Sequence, residues 1–326
     1  MLIVQAPRAV VMVRPHQFRP NPDTAADNAF QRAPDGRSPG ELAAAAYAEV
    51  TRVAETLQSE GIRVHLFEDE GEHAPDSVFP NNWFSTHPGG HVAVFPMYAP
   101  NRRAERRGDV VEFLKRAYRV QDVIDYSGLE HDGIYLEGTG AMVLDHVGRM
   151  AYAARSNWTN EMALERFCTH SHLEPMVFDA VGPDHGPIYH TNVLMCIATE
   201  FALVGLSSIR DPNRREEVED SLVQTGRRVI ALSSQQVAGF AGNAIELTSS
   251  TGRVLAMSHR ALASLTDEQR QAITATARIL PFDIPTIELA GGSVRCMIAG
   301  LHLTPRPSRQ GEPQSPVSAG RAGGQW

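Results

Sequence analysis

The sequence predicts an α/β protein built as a closed ring of five repeats, that is, a five-bladed α/β propeller. One cassette recurs along the chain: an apolar strand, a polar turn, a second strand, an amphipathic helix and a third strand. The residues that we take to begin the five first strands follow one another at intervals of 55, 53, 53 and 53 residues. Equivalent positions in a ring of repeats face the same axis, so these residues should converge on one central pocket. They are Asn82, Glu137, His190, Asn243 and Cys296.

Four repeats are complete in the chain, and the fifth combines its two ends. A helix should open at Asp211-Pro212, because proline suits the first turn, and another at Thr266, where Gln269 completes a capping-box pattern. The fifth repeat begins at 294–303 and takes strand 9–15, helix 40–58 and strand 63–69 from the other end. In the first repeat the strand pair, the helix and the third strand are predicted at 82–97, 102–118 and 119–126, and in the second at 139–154, 158–168 and 175–181. In the third repeat they are predicted at 192–206, from 211 onward and at 228–234, and in the fourth at 244–258, 266–279 and 285–289.

Composition restricts the class of protein. Of the 326 residues, 42% are hydrophobic, and 30 basic against 38 acidic residues give a net charge of −8, which argues against nucleic acid as the partner. The chain has no apolar run of about 18 residues that could span a membrane. Its N-terminus does not resemble a signal peptide, because Arg8 interrupts the apolar part. We therefore expect a cytoplasmic protein that binds a small molecule, with the oligomeric state open and a homo-oligomer compatible with the sequence.

The chain divides into one catalytic domain, residues 1–304, and a C-terminal tail, residues 305–326. The tail is rich in Pro, Gly, Ser and Gln and has few apolar residues, so it is predicted to be disordered. Three widely spaced cysteines make neither a disulfide framework nor a metal cluster, and we predict no metal and no cofactor. Cys196 reads as core and Cys168 as a helix face. His87, His91 and His131 read as loop or surface residues.

Cys296, His190 and Glu137 are the candidate catalytic residues. A lone cysteine at the start of an apolar strand is more often a structural thiol than a nucleophile. Its register with a histidine and a carboxylate reverses that expectation. A thiolate is a strong nucleophile, imidazole suits proton transfer near neutral pH, and a carboxylate can hold an NH-rich group or shuttle a proton.

Several motifs that contain these residues resemble the guanidino-group-modifying enzymes: arginine deiminase, dimethylarginine dimethylaminohydrolase and the amidinotransferases, which share the five-bladed pentein fold. Within that superfamily the chain is most similar to the bacterial branch of citrulline-utilisation hydrolases, also called amidinotransferase-like. The resemblance covers residues 5–304. The motifs are PDSVFPNNWFSTH, APNRRAERR, LEGTG, IYHTN and GGSVRCM.

The resemblance implies a mechanism. Cys296 would attack the central carbon of a guanidino-type group, an amine would leave, and water would hydrolyse the covalent thiouronium-like intermediate. His190 would protonate the leaving amine and then activate water, while Glu137 would hold the nitrogens of the substrate. Asp76 matches an acidic position that contacts substrate in the dimethylarginase relatives.

The chain departs from the family where carboxylates would surround a guanidinium. Asn81 and Asn82 stand where relatives carry an acidic or Arg-Asp pair, and Asn192 replaces the aspartate of arginine deiminases. Amides carry no charge, so the sequence favours a neutral ureido group, such as that of citrulline, over arginine. With Asn243, these amides are the predicted substrate-binding residues.

A second departure concerns the substrate carboxylate. Trp158 stands where relatives often have the arginine that binds it. Arg103 and Arg155 are the predicted substitutes.

Two other functions stay open at this point. One is an amidinotransferase that passes the group to an amine acceptor instead of water. The other is a ligand-binding pentein without catalysis, against which the Cys–His–Glu set argues.

Overall fold

The computed structural model describes residues 3–34, 36–182 and 186–307, and in these ranges fifteen short strands form five separate three-stranded sheets. In every sheet the first strand pairs antiparallel with the second, and the second pairs parallel with the third. The strands are β1 (Ala9–Pro15), β2 (Arg63–Asp69), β3 (Phe84–His87), β4 (His91–Val94), β5 (Asp122–Asp125), β6 (Met142–Asp145), β7 (Met150–Ala154), β8 (Glu174–Phe178), β9 (Met195–Ile197), β10 (Phe201–Val204), β11 (Arg228–Ala231), β12 (Ile245–Ser249), β13 (Gly252–Ser258), β14 (Arg278–Phe282) and β15 (Ala299–Gly300).

In each blade at least one α-helix lies between the second and the third strand. The α-helices of the described ranges are α1 (Pro39–Ser59), α2 (Gly108–Ala117), α3 (Gly138–Ala141), α4 (Glu161–Ser171), α5 (Pro212–Gln224), α6 (Ser234–Ala238), α7 (His259–Ser264), α8 (Asp267–Thr274) and α9 (Val294–Met297). Short 3-10 helices lie at Pro22–Thr24, Pro80–Asn82, Pro100–Glu105, Ser127–Asp132, Thr191–Val193, Leu206–Ser208 and Ile287–Ala290. None of these helices has the length and apolarity that crossing a bilayer requires.

The five sheets are the blades of a propeller, as the repeat predicts. The first strands meet around the axis, where β15 contacts β3, β6 contacts β9, and β9 contacts β12. The blade built from both chain ends is confirmed, because β15 pairs with β1 at Val10 and Gly300, and β1 pairs in parallel with β2. The capping box predicted at Thr266 and Gln269 opens α8, and Asp211 caps α5.

The prediction that the five equivalent residues begin strands is wrong in detail. Asn82 ends a 3-10 turn, Glu137 caps α3, and Cys296 lies inside α9. His190 precedes the turn Thr191–Val193, and Asn243 lies in a turn before β12. A single helical turn is too short to show a 3.6-residue period, so its residues read as part of the apolar strand that follows.

The third strand of the fourth repeat also differs from the prediction. It is β14, directly after α8, and not residues 285–289. That later segment turns into a 3-10 helix because the Glu49 carboxylate accepts hydrogen bonds from the backbone N–H groups of Thr286 and Ile287, both at 3.0 Å. Both segments are short, and the contacts with Glu49, which is distant in sequence, are found only at the later one.

Three smaller predictions need comment. The segment 102–107 is not the start of α2: Arg102 and Glu105 are buried in a separate 3-10 helix. His87 is buried in β3 rather than on the surface. At the predicted tail, Arg306 still donates hydrogen bonds to the backbone around Tyr118, whereas residues 308–326 lie outside the described residues, so disorder there stays a prediction.

Candidate active site

The five repeat-equivalent residues are all buried near the axis, each with at most 2% of its surface exposed. Three of them, Asn82, His190 and Cys296, line one narrow cleft with an empty volume of about 260 Å³ including its mouth. The cleft therefore brings together a thiol, an imidazole and an amide from three different blades. Its lining is Thr24, Asn28, Asp76, Phe79, Asn82, Arg102, Trp158, Tyr189, His190, Ala290, Gly292 and Cys296.

Two amide groups contact the Cys296 thiol. Asn192 Nδ2 lies 3.2 Å and Asn243 Nδ2 3.3 Å from Sγ, and both donate to it. The orientation of Asn243 is fixed by the backbone, since its Oδ1 accepts from Arg295 N at 3.1 Å and its Nδ2 also donates to Asn192 O at 3.0 Å. Both residues were predicted to bind substrate, and the structure places their N–H donors on the Cys296 sulfur.

Glu137 lies behind His190 and not on the cleft lining. Its Oε2 is 3.2 Å from His190 Nε2 and accepts from Arg102 Nη1 at 2.6 Å, while its Oε1 accepts from Tyr98 N at 2.9 Å. Both oxygens are thus engaged by protein groups. These contacts direct the carboxylate to His190 and Arg102 and not to the cleft, and the expectation that Glu137 holds the nitrogens of the substrate stays a prediction.

The His190 ring is also held by two aromatic side chains. The Trp158 ring meets it edge-on at a centroid distance of 5.1 Å, and the Tyr189 ring lies at 4.5 Å. Burial lowers the pKa of His190, and the Glu137 carboxylate opposes that shift. The imidazole is therefore neutral at pH 7 and can accept a proton.

Arg102 is a buried cation at the base of the cleft. It donates two hydrogen bonds to Glu105, at 2.8 and 3.0 Å, one to Glu137, and its Nε lies 3.5 Å from Asp76 Oδ2. Its three carboxylate neighbours come from separate parts of the chain. Buried charges persist only when paired in this way.

The carboxylates of this cluster differ in their electrostatics. Burial raises the pKa of Asp76, against the effect of Arg102, and raises the pKa of Glu105 to about 8. The pKa of Glu137 is lowered, because Arg102 and His190 together outweigh its burial. Glu137 is thus the carboxylate that stays ionised beside His190.

The remaining predicted residues divide into those at the cleft and those away from it. Asp76 Oδ2 accepts from Asn21 Nδ2 at 2.7 Å, and its Oδ1 has no hydrogen-bond partner among the described residues. Asn82 Oδ1 is also buried without one in the described part of the chain. Both can accept N–H groups from a ligand. Asn81 is buried but does not line the cleft; its carbonyl accepts from Thr139 Oγ1 at 3.1 Å.

Neither of the predicted carboxylate-binding arginines lies at the cleft. Arg103 is 3.2 Å from Glu130, and Arg155 is exposed and donates to Glu161 at 2.6 Å. Both guanidinium groups pair with carboxylates that do not line the cleft, so their predicted contact with a substrate carboxylate stays a prediction.

Sequence reasoning missed Arg102, Glu105 and Tyr189, as well as Asn28. A run of arginines reads as a solvated surface, and the carboxylates that bury Arg102 are distant in sequence. A signal was present in Glu105, three residues after Arg102, which is the spacing of a helical ion pair.

Within the described ranges no group of three or more His, Cys, Asp or Glu side chains is arranged to hold a metal ion. The cleft lining combines the Cys296 thiol with the His190 imidazole, and two amide groups donate to the sulfur from behind the lining.

The family model described as N,N dimethylarginine dimethylhydrolase, eukaryotic, matches residues 14–303. A comparison with curated protein sequences gave no match.

Solved structures with the same fold include the N-terminal domain of ArgZ bound to substrate. ArgZ is an arginine dihydrolase from the ornithine-ammonia cycle in cyanobacteria. The likeness has a TM-score of 0.69 at 14% identity and covers 90% of this chain and 97% of that one. AgrE in complex with L-arginine has a TM-score of 0.69 at 16% identity, over 93% of this chain and 41% of the longer AgrE chain.

A dimethylarginine dimethylaminohydrolase in adduct with S-methyl-L-thiocitrulline has a TM-score of 0.58 at 13% identity. The likeness covers 90% of this chain and 100% of that chain. These likenesses show the five-bladed pentein fold. Because the family model spans most of the chain and the fold agrees with it, the chain belongs to the N,N dimethylarginine dimethylhydrolase, eukaryotic, family and is a hydrolase that acts on non-peptide C–N bonds.

Proposed function

We propose that the protein hydrolyses a guanidino- or ureido-type C–N bond in a small arginine-related molecule, through a covalent intermediate on Cys296. The observation that carries this proposal is the convergence of Cys296 and His190 on one cleft, with two amide donors on Sγ. The family to which the chain belongs supports the reaction type.

The first half-reaction forms a C–S bond and breaks a C–N bond. Sγ attacks the central carbon of the substrate, and the thiol proton passes to the neutral His190. The amides of Asn192 and Asn243 stabilise the charge on sulfur. The tetrahedral adduct then expels an amine, to which His190 returns the proton.

The second half-reaction releases the sulfur. His190, neutral again, takes a proton from water as the water attacks the planar S-linked carbon. The C–S bond then breaks, and the proton on His190 returns to the released sulfur. Glu137 touches His190 and not the cleft, so it acts as a positioning residue: it holds the ring and stabilises the imidazolium that forms in each half-reaction.

The substrate that the cleft favours is less charged than arginine, with citrulline preferred. Arg102, a permanent cation, already lines the cleft, and burial raises the pKa of Asp76, which weakens the carboxylate that would compensate a second guanidinium. The free acceptors at Asn82 and Asp76 can instead take the N–H groups of a ureido group.

Intact-protein mass spectrometry after incubation with chloroacetamidine tests the covalent step. We expect one adduct, on Cys296, that is absent in Cys296→Ser although Cys168 and Cys196 remain. A folded protein that takes no adduct would favour a ligand-binding pentein instead.

Steady-state kinetics test the substrate class. L-citrulline, L-arginine and dimethylarginine are compared at equal concentrations, with and without glycine or ornithine as an acceptor. We expect the highest kcat/KM for citrulline and no product that contains the acceptor. A clearly higher kcat/KM for arginine would refute the citrulline preference alone, and an acceptor-containing product would identify a transferase.

A cytoplasmic location and self-association stay predictions from the sequence. Both can be tested independently of activity, by fractionation and by light scattering.

A further inference from the structure

A second cavity, of about 630 Å³ with its open mouth included, lies on the propeller axis beyond the active site. All five first strands contribute to its wall, namely β3, β6, β9, β12 and β15. The catalytic groups precede these strands, so the cavity lies further along them, on the other side of the strand starts. It shares no lining residue with the cleft of Cys296.

The cavity contains a guanidinium without a counter-charge. Arg295 lines it, is partly buried, and makes one side-chain hydrogen bond, from Nη1 to the Ile298 carbonyl at 2.9 Å. Among the described residues no carboxylate forms an ion pair with it. Arg102, in contrast, pairs with three carboxylates, those of Asp76, Glu105 and Glu137. A partly buried guanidinium with free donors is suited to a planar oxyanion, which it can bind through two parallel hydrogen bonds.

Two histidines stand beside this arginine. The rings of His146 and His302 both line the cavity, with centroids 3.8 Å apart. Burial, and after it the neighbouring charges that include Arg295, lower the pKa of both rings, to about 4 for His302. Neutral imidazoles can donate and accept hydrogen bonds without adding charge. They offer a polar wall next to Arg295.

The rest of the wall indicates the class of ligand. Val143, Leu144, Met195 and Ile197 give it an apolar part. A site with a cationic end and apolar sides fits a short organic acid better than an inorganic anion.

Glu246 also lines the cavity, and one of its carboxylate oxygens is engaged. Its Oε2 accepts from Thr199 N and Thr199 Oγ1, at 2.8 and 2.5 Å, whereas Oε1 has no hydrogen-bond partner among the described residues and lies 3.7 Å from Arg253. Burial raises the pKa of Glu246, which favours its uncharged form. Its ion pair is with Arg253 and not with Arg295.

We propose that this axial cavity binds a small organic carboxylate, with Arg295 holding the carboxylate group and His146 and His302 supplying further hydrogen bonds. Arg295 is joined to the active site through one residue: its backbone N–H donates to Asn243 Oδ1, and Asn243 Nδ2 donates to Cys296 Sγ. A ligand at Arg295 thus lies one hydrogen-bonded side chain away from the nucleophile.

Binding should be linked to proton uptake. Burial raises the pKa of Glu246, and an anion on the same wall favours its protonated form further, so affinity should rise as the pH falls from 7.5 to about 5.5, while His302, with a pKa of about 4, stays neutral. Protonation of Glu246 removes a negative charge from the wall. The other titratable or charged groups on the wall are Arg295, Cys196 and His146, with His87 next to His146 at a centroid distance of 6.0 Å.

Isothermal titration with butanoate, and with butanamide as the uncharged control, tests the proposal. We expect saturable binding of butanoate only, and weakening by at least about tenfold in Arg295→Gln, because a charge-assisted bidentate contact is lost. His302→Gln should weaken binding by less, and His190→Gln, the matched change in the active site, should leave it unchanged. Thermal melting verifies that each variant is folded.

The wild-type chain provides a test without any substitution, in case Arg295→Gln does not fold. Titrations in two cationic buffers of different ionisation enthalpy should show net proton uptake on butanoate binding. The proposal is overturned if butanoate gives no saturable heat, if butanamide binds equally well, or if His190→Gln abolishes binding while Arg295→Gln preserves it. The last result would place the carboxylate in the active site.

Discussion

Replacing Glu137 with glutamine removes one negative charge from a fully buried position and changes little of its shape. The carboxylate accepts a 2.6 Å hydrogen bond from Arg102 and lies 3.2 Å from His190. Glutamine can still accept the hydrogen bond from Tyr98 N, but its NH₂ group then takes the place of Oε2 and faces both Arg102 Nη1 and His190 Nε2. The substitution therefore tests the carboxylate charge and not the packing.

The loss of stability follows from the contacts. Removing one partner of a buried ion pair costs about 3–5 kcal/mol. Arg102 keeps Glu105 and lies near Asp76, so we expect the lower end of that range, about 3 kcal/mol in the free energy of unfolding. The pKa of Glu137 is lower in the folded protein than in the unfolded chain, so this contribution is fully present above pH 4.5 or so and is lost as the pH falls through the folded pKa. Urea unfolding of both proteins should therefore give a constant difference between pH 7.5 and about 5.

The effect on catalysis should exceed the effect on binding. Without the carboxylate the pKa of His190 falls further, and the imidazolium that forms during each half-reaction loses its stabilisation. We expect kcat to fall by about 10²–10⁴ with little change in KM, since Glu137 does not line the cleft. The acidic limb of the kcat/KM profile should move to lower pH.

Glu105→Gln is the matched control. It removes another buried carboxylate from the same arginine, but one that makes no contact with His190. Burial raises the pKa of Glu105 to about 8, so stability should fall less than in Glu137→Gln, while kcat stays within about tenfold of the wild type. Equal losses of kcat in both variants would refute the positioning role of Glu137. A large rise in KM in Glu137→Gln alone would instead restore the direct contact with substrate that the sequence suggested.

Three further substitutions test the site and a fourth, Gly128→Ala, serves as a control, each by kcat/KM and thermal melting. Cys296→Ser should abolish turnover with the fold intact, and retained activity would overturn the nucleophile assignment. Asn243→Asp keeps the acceptor for Arg295 N but replaces the donor to Sγ, so kcat/KM should fall by about 10²–10³; wild-type activity would contradict the role of that amide. Gly140→Ala adds a Cβ that would lie 2.8 Å from His190 Nδ1 and should lower both activity and stability, whereas Gly128→Ala, with nothing within 4 Å, should add about 0.4–1 kcal/mol of stability.

The fold could be predicted because every blade repeats one pattern of apolar strands, and the spacing alone reveals equivalent positions. The helical turns at Pro80–Asn82 and Val294–Met297 could not, because three or four residues carry no helical period. The third strand of the fourth repeat was predicted at residues 285–289 instead of at β14 for the same reason, because short segments carry too little periodicity to tell them apart. Contacts with Glu49, far away in sequence, are found only at the later segment.

Residues of the site could be predicted where a reactive residue type falls at a repeat-equivalent position, and could not be predicted elsewhere. Cys296 and His190 stand in register, so spacing brings them together. Arg102 lies in a run of arginines in which each member looks solvated, and its burial depends on Asp76 and Glu137, whose proximity is a property of the folded ring. Which of several arginines is enclosed is decided by tertiary ion pairs, and no local pattern encodes that choice.

The order of the blades determines what each equivalent residue can do. Neighbours around the ring touch: Glu137 of the second position lies against His190 of the third, and Asn243 of the fourth donates to Cys296 of the fifth. A histidine at position 243 instead of 190 would bring its imidazole next to Cys296 Sγ, where the Asn243 amide now lies. It would then no longer contact Glu137. The repeat supplies five equivalent positions on one axis, and catalysis depends on which residue has which neighbour. Cys296 and His190 both line the cleft, while the Asn243 amide contacts the thiol and the Glu137 carboxylate lies against the imidazole.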